Sequence, residues 1–126
     1  MPSGAEAEHS ALRYSPALRI DRTVHVSGHI GRSTDGNLPS EPEQQIREAF
    51  RSLTETLHEA GADWADVVQM TSYHVGLRDH GDAFLRVRAE YVQEPYSAWT
   101  AVGVTELYTP GALVEISLTA VVRPDR

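Results

Sequence analysis

The sequence predicts an α+β fold, a two-layer sandwich in which two helices cover one face of a mixed sheet, with the element order β-β-α-β-α-β-β. Three patterns carry that prediction. Residues 112–122 alternate, with Ala112, Val114, Ile116, Leu118, Ala120 and Val122 on one side and Glu115, Ser117 and Thr119 on the other, the period of a strand buried on one face. Ile46, Phe50, Leu53 and Leu57 recur at helical spacing and form a single apolar stripe. Ala83, Phe84, Val87 and Tyr91 line one side of a second, shorter helix.

In chain order, residues 1–10 are small, polar and acidic and read as a disordered tail, which leaves residues 11–126 as one domain. Ordered structure is expected from about Tyr14. Thr23-Val24-His25-Val26-Ser27 alternates with its valines on one face, and Gly28 reads as the break of that strand. A loop rich in turn residues follows, and Ser40 with Glu43 three positions on, and Pro42 between them, form a capping box that should open the first helix. Ala60-Gly61 supplies its stop. Residues 67–75 are rich in β-branched and aromatic side chains and read as a strand. Asp79-His80-Gly81-Asp82 then punctuates the chain before the second helix, which Pro95 ends. Residues 99–104 form another strand, and a turn at Tyr108-Thr109-Pro110-Gly111 leads into the last one, expected to pair antiparallel with it.

The sheet face away from the helices is then expected to carry His25, Ser27, Trp99, Ala101 and Glu115. A tryptophan, a carboxylate and small residues suit neither plain solvent exposure nor a dry core. Such a face points to an oligomer interface with a polar pocket in it.

Composition narrows the function classes. The 126 residues hold no cysteine, which removes a disulfide framework, a thiolate nucleophile and iron–sulfur ligation. Eleven basic against eighteen acidic residues give a net charge of −7 with no basic run, so neither a nucleic acid nor an anionic membrane is an expected partner. No apolar stretch is long enough for a membrane span, and the acidic start is unlike a secretory signal, so a cytoplasmic location is expected. His9, His25, His29, His58, His74 and His80 show no metal-ligand spacing, Gly28-His29-Ile30-Gly31 lacks the lysine and length of a phosphate loop, and no serine sits in a G-x-S-x-G context. Neither a metal nor an organic cofactor is expected.

Several segments, taken in order, resemble a known family. Tyr14-Ser15-Pro16-Ala17, Val26-Ser27-Gly28-His29-Ile30, Gly61-Ala-Asp-Trp-Ala-Asp-Val67-Val68 and Gly111-Ala-Leu-Val-Glu115-Ile116 look like the Rid proteins (the YjgF/RidA family, once called L-PSP endoribonucleases) over residues 12–123. Pro95-Tyr-Ser-Ala-Trp99-Thr-Ala-Val-Gly-Val104-Thr is most similar to the YjgH-like branch. The resemblance implies a chorismate-mutase-like fold and a homotrimer with small-molecule pockets between subunits. It also implies hydrolysis of reactive imines or enamines, with a glutamate that positions or activates water at Glu115, a tyrosine at Tyr14, and pocket backbone at Ser27 and Gly28. The arginine by which such proteins grip a substrate carboxylate does not carry over, because Trp99 stands at its position.

An indole offers one N–H and a π face where a guanidinium offers a fork of donors. Either the substrate has no carboxylate at that point, or another cation has moved in, for which Arg88 in the second helix is the candidate. Trp99, Arg88, Ser27, Gly28, His29 and Ala101 are therefore expected to bind substrate, with Glu115 and Tyr14 catalytic. Glu115 could instead form an interface ion pair, Tyr14 could cap the first strand, and His29 could be a surface-loop histidine. The expected activity is hydrolysis, dehydration or cyclisation of a small nitrogenous intermediate rather than general deamination of 2-aminoacrylate. The alternative is a non-catalytic protein that holds a metabolite in the same pocket.

Overall fold

The chain enters its sheet through a tight hairpin. In a computed structural model that describes residues 12–124, strands β1 (Ala17–Ile20) and β2 (Thr23–Ile30) pair antiparallel around a turn in which Asp21 takes a positive φ of 54°. The tail expected over residues 1–10 lies outside the described residues. Arg19 ties the hairpin down by donating from Nε to the Asp21 carbonyl at 2.8 Å and from Nη1 to the Ala60 carbonyl at 2.7 Å, at the end of the first helix. A cation there meets carbonyls that the helix leaves unpaired.

That helix, α1 (Pro42–Glu59), starts one residue later than the capping box suggests: Glu41, not Ser40, caps it by accepting the Gln44 N–H at 2.9 Å. Pro42 at its first position loses nothing, since that N–H has no helical partner anyway. The end falls where glycine placed it, with Gly61 at φ 81° and the Ala62 N–H returning to the Leu57 carbonyl at 2.8 Å. A 3₁₀ turn (Trp64–Asp66) then leads into β3 (Val67–Val75). The second helix, α2 (Leu77–Arg88), begins ahead of the stretch expected to separate it from β3, so Asp79 to Asp82 lie in its first turns, and it ends before Tyr91. Strands β4 (Ala98–Val104) and β5 (Val114–Val121) complete the chain.

The five strands form one mixed sheet in the order β1-β2-β5-β3-β4. The expected antiparallel pairing of the last two strands does not occur. β4 pairs parallel with β3, and β5 lies between β2 and β3, antiparallel to both. The reason is topological: a helix between β3 and β4 brings the chain back to the same end of the sheet, so the two strands must run parallel. β5 then takes the centre, where its unbroken apolar face has most to bury: Val114, Ile116, Leu118 and Ala120 are all at most 3% exposed. Both helices cover that face, and Phe50 of α1 holds the layers together through ring contacts of 5.1 to 5.6 Å with Tyr91, Phe84 and Trp64.

Two local features shape what the sheet presents. The register of β2 against β5 runs from Val26↔Leu118 to His29↔Ile116, so β2 carries one extra residue there. This bulge reverses the alternation: Val24 and Val26 face the helices before it, and His29 does so after it. Gly28 sits at the irregularity with the Glu115 side chain against it; a Cβ on Gly28 would collide with the Glu115 carboxylate. The second feature is a polar chain in the core. Trp99 Nε1–H donates to Ser72 Oγ at 2.9 Å, and Ser72 Oγ lies 2.8 Å from His74 Nε2. Ser72 Oγ thus accepts from the indole, and the direction of its bond to His74 Nε2 follows the tautomer of that ring. Burial, with a smaller contribution from the nearby His80, pushes His74 below its ordinary value of 6.5.

Two outcomes are expected. Because the folded state holds His74 neutral, the unfolded chain binds the extra proton as pH falls, so this contribution is complete above 6.5 and declines as pH drops through 6.5 toward the lower folded value. Thermal midpoints of the wild type should therefore fall more steeply than those of His74→Asn between about pH 7.5 and 5. Gly28→Ala should cost about 1–3 kcal/mol in urea denaturation, and much less in a Glu115→Ala background, where the added methyl meets no carboxylate.

Candidate functional site

The open face of the sheet carries a cavity of about 250 Å³ lined by Leu12, Tyr14, Ser27, Gly28, Ile30, Tyr108, Thr109 and Glu115. Its floor comes from the bulge. Ser27 is held there by its N–H to the Pro16 carbonyl at 2.9 Å and by its Oγ to the Ser15 carbonyl at 2.7 Å, which also fixes the segment that follows Tyr14. Glu115, half-buried on β5, projects from the face opposite Val114 and Ile116. The far wall is the loop carrying Tyr108 and Thr109. That loop is anchored from beneath by Gln45, which is 1% exposed and donates to the Pro39 and Gly111 carbonyls at 3.0 and 3.2 Å while accepting the Leu113 N–H at 2.6 Å. One amide thus links α1, the loop ahead of it and the entry to β5.

Four of the expected residues meet in this cavity: Tyr14, Ser27, Gly28 and Glu115. His29 does not. The bulge turns it inward, where it is 4% exposed and its Nδ1 lies 2.8 Å from Ser52 Oγ on α1. It is neither at a pocket mouth nor in a surface loop. Tyr108, 78% exposed, and Thr109 were visible in the sequence only as part of a turn. Nothing in the sequence alone tied that turn to Glu115.

Trp99 and Ala101 lie on the other face of the sheet from the one expected. In the parallel register, Trp99 is beside Met70 and Ala101 beside Ser72, both of which point toward the helices. The Trp99 ring stacks on Phe84 of α2 with centroids 5.8 Å apart, and the Arg88 guanidinium lies over that indole, its Cζ 4.2 Å from the ring centroid. Arg88 and Trp99 therefore do come together, as a pair at the edge strand. They are separated from Glu115 by the thickness of the sheet and by two strand spacings, roughly 10 Å sideways. Burial holds Arg88 below the ordinary arginine value, an effect that Tyr96 partly opposes.

The chemistry of the cavity is that of a carboxylate flanked by a phenol, hydroxyls and closely approaching backbone, a set able to move protons on a small polar molecule. Among the described residues no three histidine, aspartate or glutamate side chains gather as a metal site. No helix among them is long and apolar enough to cross a membrane.

Comparison with known proteins agrees with this geometry. Residues 5–122 match the family model described as endoribonuclease L-PSP. The chain is 36% identical over 107 residues to the RutC family protein YjgH of Escherichia coli K12, an alignment covering 84% of this chain and 82% of that protein. It is 34% identical over 124 residues to the 2-iminobutanoate/2-iminopropanoate deaminase of Rattus norvegicus, covering 97% and 89%. Among solved structures, protein YjgH superposes with a TM-score of 0.87 at 35% identity, covering 97% of this chain and 93% of that one. Rv2704 of Mycobacterium tuberculosis, a member of the YjgF/YER057c/UK114 family, does so with 0.83 at 33% identity, covering 97% and 98%. The sandwich is thus the chorismate-mutase-like fold of these relatives, and the chain belongs to the YjgF/Rid family, whose matching model carries the endoribonuclease L-PSP description.

Proposed function

We propose that this protein is a cytoplasmic homotrimer that acts on a small reactive imine or enamine, with Glu115 as general acid and base and Tyr14 beside it. The observation that carries the reading is the placement of the Glu115 carboxylate against Gly28 in a small open-face cavity, shared with Tyr14 and Ser27. The deaminase names of several relatives support the reaction class. The endoribonuclease description finds no such support, since a net charge of −7 without a basic run repels a phosphate backbone.

In the hydrolytic form of the reaction, an enamine first gains a proton on carbon and gives one up from nitrogen to become the imine. Glu115, ionised, then takes a proton from water as the water oxygen bonds to the imine carbon. The protonated carboxyl returns its proton to nitrogen, giving a carbinolamine; Glu115 then passes the carbinolamine hydroxyl proton to the amino nitrogen as the C–N bond breaks, and ammonia leaves with a carbonyl product. Imine and water are consumed, and one carbonyl compound and one ammonia are formed. Dehydration or cyclisation of a related nitrogenous intermediate would use the same proton transfers.

The homotrimer belongs to this reading because one chain places Glu115 and the Arg88–Trp99 pair on opposite faces of the sheet. A neighbouring copy that brought its β4 edge to the open face would set both against one ligand. Glu115→Gln keeps size and hydrogen bonding while removing the base, so ammonia release from enzymatically generated 2-iminopropanoate should fall by about 10²–10⁴ with the fold intact. Wild-type protein that releases no ammonia from any imine, yet binds imine-derived ligands equally well with Glu or Gln at 115, would instead be a metabolite-binding protein.

A further inference from the structure

The βαβ unit formed by β3, α2 and β4 leaves a further cavity, of about 510 Å³, where the two parallel strands end and the helix begins. It lies on the helical face of the sheet, across from the Glu115 cavity, and at Gly103 it is four residues along β4 from Trp99, roughly 13 Å. The carboxyl ends of parallel strands are where such crossovers commonly hold ligands, because the helix start points its free N–H groups into the same space. Two glycines keep this one open. Gly103 pairs with His74 in the ladder, and a Cβ on it would meet only Leu77, at an ordinary 3.6 Å. Gly76 turns the chain from β3 into α2 at φ 77° and, as the helix cap, offers no side-chain acceptor. The N–H groups of Leu77 and Arg78 are thus left without a helical partner.

The floor of the cavity adds an independent feature. His74 lines it and is 2% exposed. Its Nε2 is engaged by Ser72 Oγ at 2.8 Å, and its ring meets Phe84 edge to face with centroids 4.6 Å apart. Nδ1 is the ring nitrogen left for the cavity, and it has no hydrogen-bond partner among the described residues. Buried polar atoms are rarely left so, and an acceptor placed in the cavity would complete it. That acceptor would fix the proton on Nδ1, so that Nε2 accepts from Ser72 while Ser72 accepts from Trp99.

The lining carries both signs of charge with an apolar wall between them. Arg78 brings a guanidinium that forms no ion pair among the described residues, and Asp79 brings a carboxylate in the first helical turn, which also holds His80 close to Gly76. Leu77 and Val104 supply the apolar surface. A simple anion would be repelled by Asp79 and a simple cation by Arg78, whereas a molecule with adjacent charges of both signs complements the pair.

We propose that this cavity binds a free α-amino acid with an apolar side chain. Its carboxylate accepts from His74 Nδ1, from the N–H groups of Leu77 and Arg78 and from the Arg78 guanidinium. Its ammonium donates to Asp79, and its side chain lies against Leu77 and Val104. The site is separate from the imine chemistry proposed above and does not depend on it.

The test is isothermal titration calorimetry of the full-length protein with L-leucine near neutral pH. Two matched compounds run beside it: 4-methylpentanoate, which lacks the ammonium, and 3-methylbutan-1-amine, which lacks the carboxylate. Saturable binding of L-leucine is expected, with each analogue weaker by about tenfold or more. Arg78→Gln and Asp79→Asn should each weaken leucine binding about tenfold, and Gly103→Val, whose methyl groups enter the cavity against Leu77, should abolish it. Circular dichroism checks the fold of every variant. Absence of saturable leucine binding overturns the proposal, and an analogue that binds as tightly as leucine overturns the choice of a zwitterion. Leucine binding unchanged in Gly103→Val would seat the ligand elsewhere and overturn the site. Should Gly103→Val not fold, the exposed Arg78 and Asp79 decide, since unchanged binding in both of their variants overturns it equally.

Discussion

The single extra residue in β2 opposite β5 is the constraint from which the rest of the site follows. Without it, Ser27 and Gly28 would continue the regular alternation, and His29 would face the open side. With it, the strand bends, His29 turns under α1 to meet Ser52, and the backbone at Gly28 comes close enough to β5 for the Glu115 carboxylate to lie against it. The cavity exists because a residue without a side chain stands where the bulge brings two strands together. Gln45 completes the arrangement from the helical layer, since the same amide that braces the loop before α1 also sets where β5 begins.

A second constraint is the crossover through α2. It makes β4 an edge strand parallel to β3, and its register puts Trp99 on the helical side, beneath Arg88. The sheet therefore carries two chemically distinct surfaces, an acid on its open face and, at its covered edge, a cation without an ion-pair partner among the described residues. Acid-base chemistry on a charged substrate needs both within one ligand's length. A symmetric neighbour of the kind proposed would bring the two together, in the way that closed oligomers place different surfaces of the same subunit against each other.

Much of this was legible in the sequence. The alternation of residues 112–122 and the stripes through Ile46–Phe50–Leu53–Leu57 and Phe84–Val87 sufficed for the two-layer fold, because hydrophobic periodicity reports directly on which side of an element is buried. Glu115, Tyr14, Ser27 and Gly28 were found by resemblance, and they lie together in one cavity. What was not legible depends on register. A bulge changes the phase of a strand without changing its composition, so His29 read as pocket or surface when it is core. The partner of a strand is set by connections that lie elsewhere in the chain, so Trp99 and Ala101 were assigned to the wrong face once β4 was paired with β5. Gln45 left no trace at all: a polar residue inside a helical stripe carries no mark of the three backbone groups it will serve.

The central claim is that the acid and the cation act on one ligand from two different chains. The most direct test mixes Glu115→Gln and Arg88→Gln proteins after unfolding and refolding them together, and measures ammonia release from 2-iminopropanoate against each variant refolded alone. Random assembly of an inter-subunit site should restore about a quarter of the wild-type activity, since that share of sites pairs an intact Glu115 with an intact Arg88 from the neighbour. A mixture no more active than its parents, from refolded protein of unchanged oligomeric size, would contradict the claim.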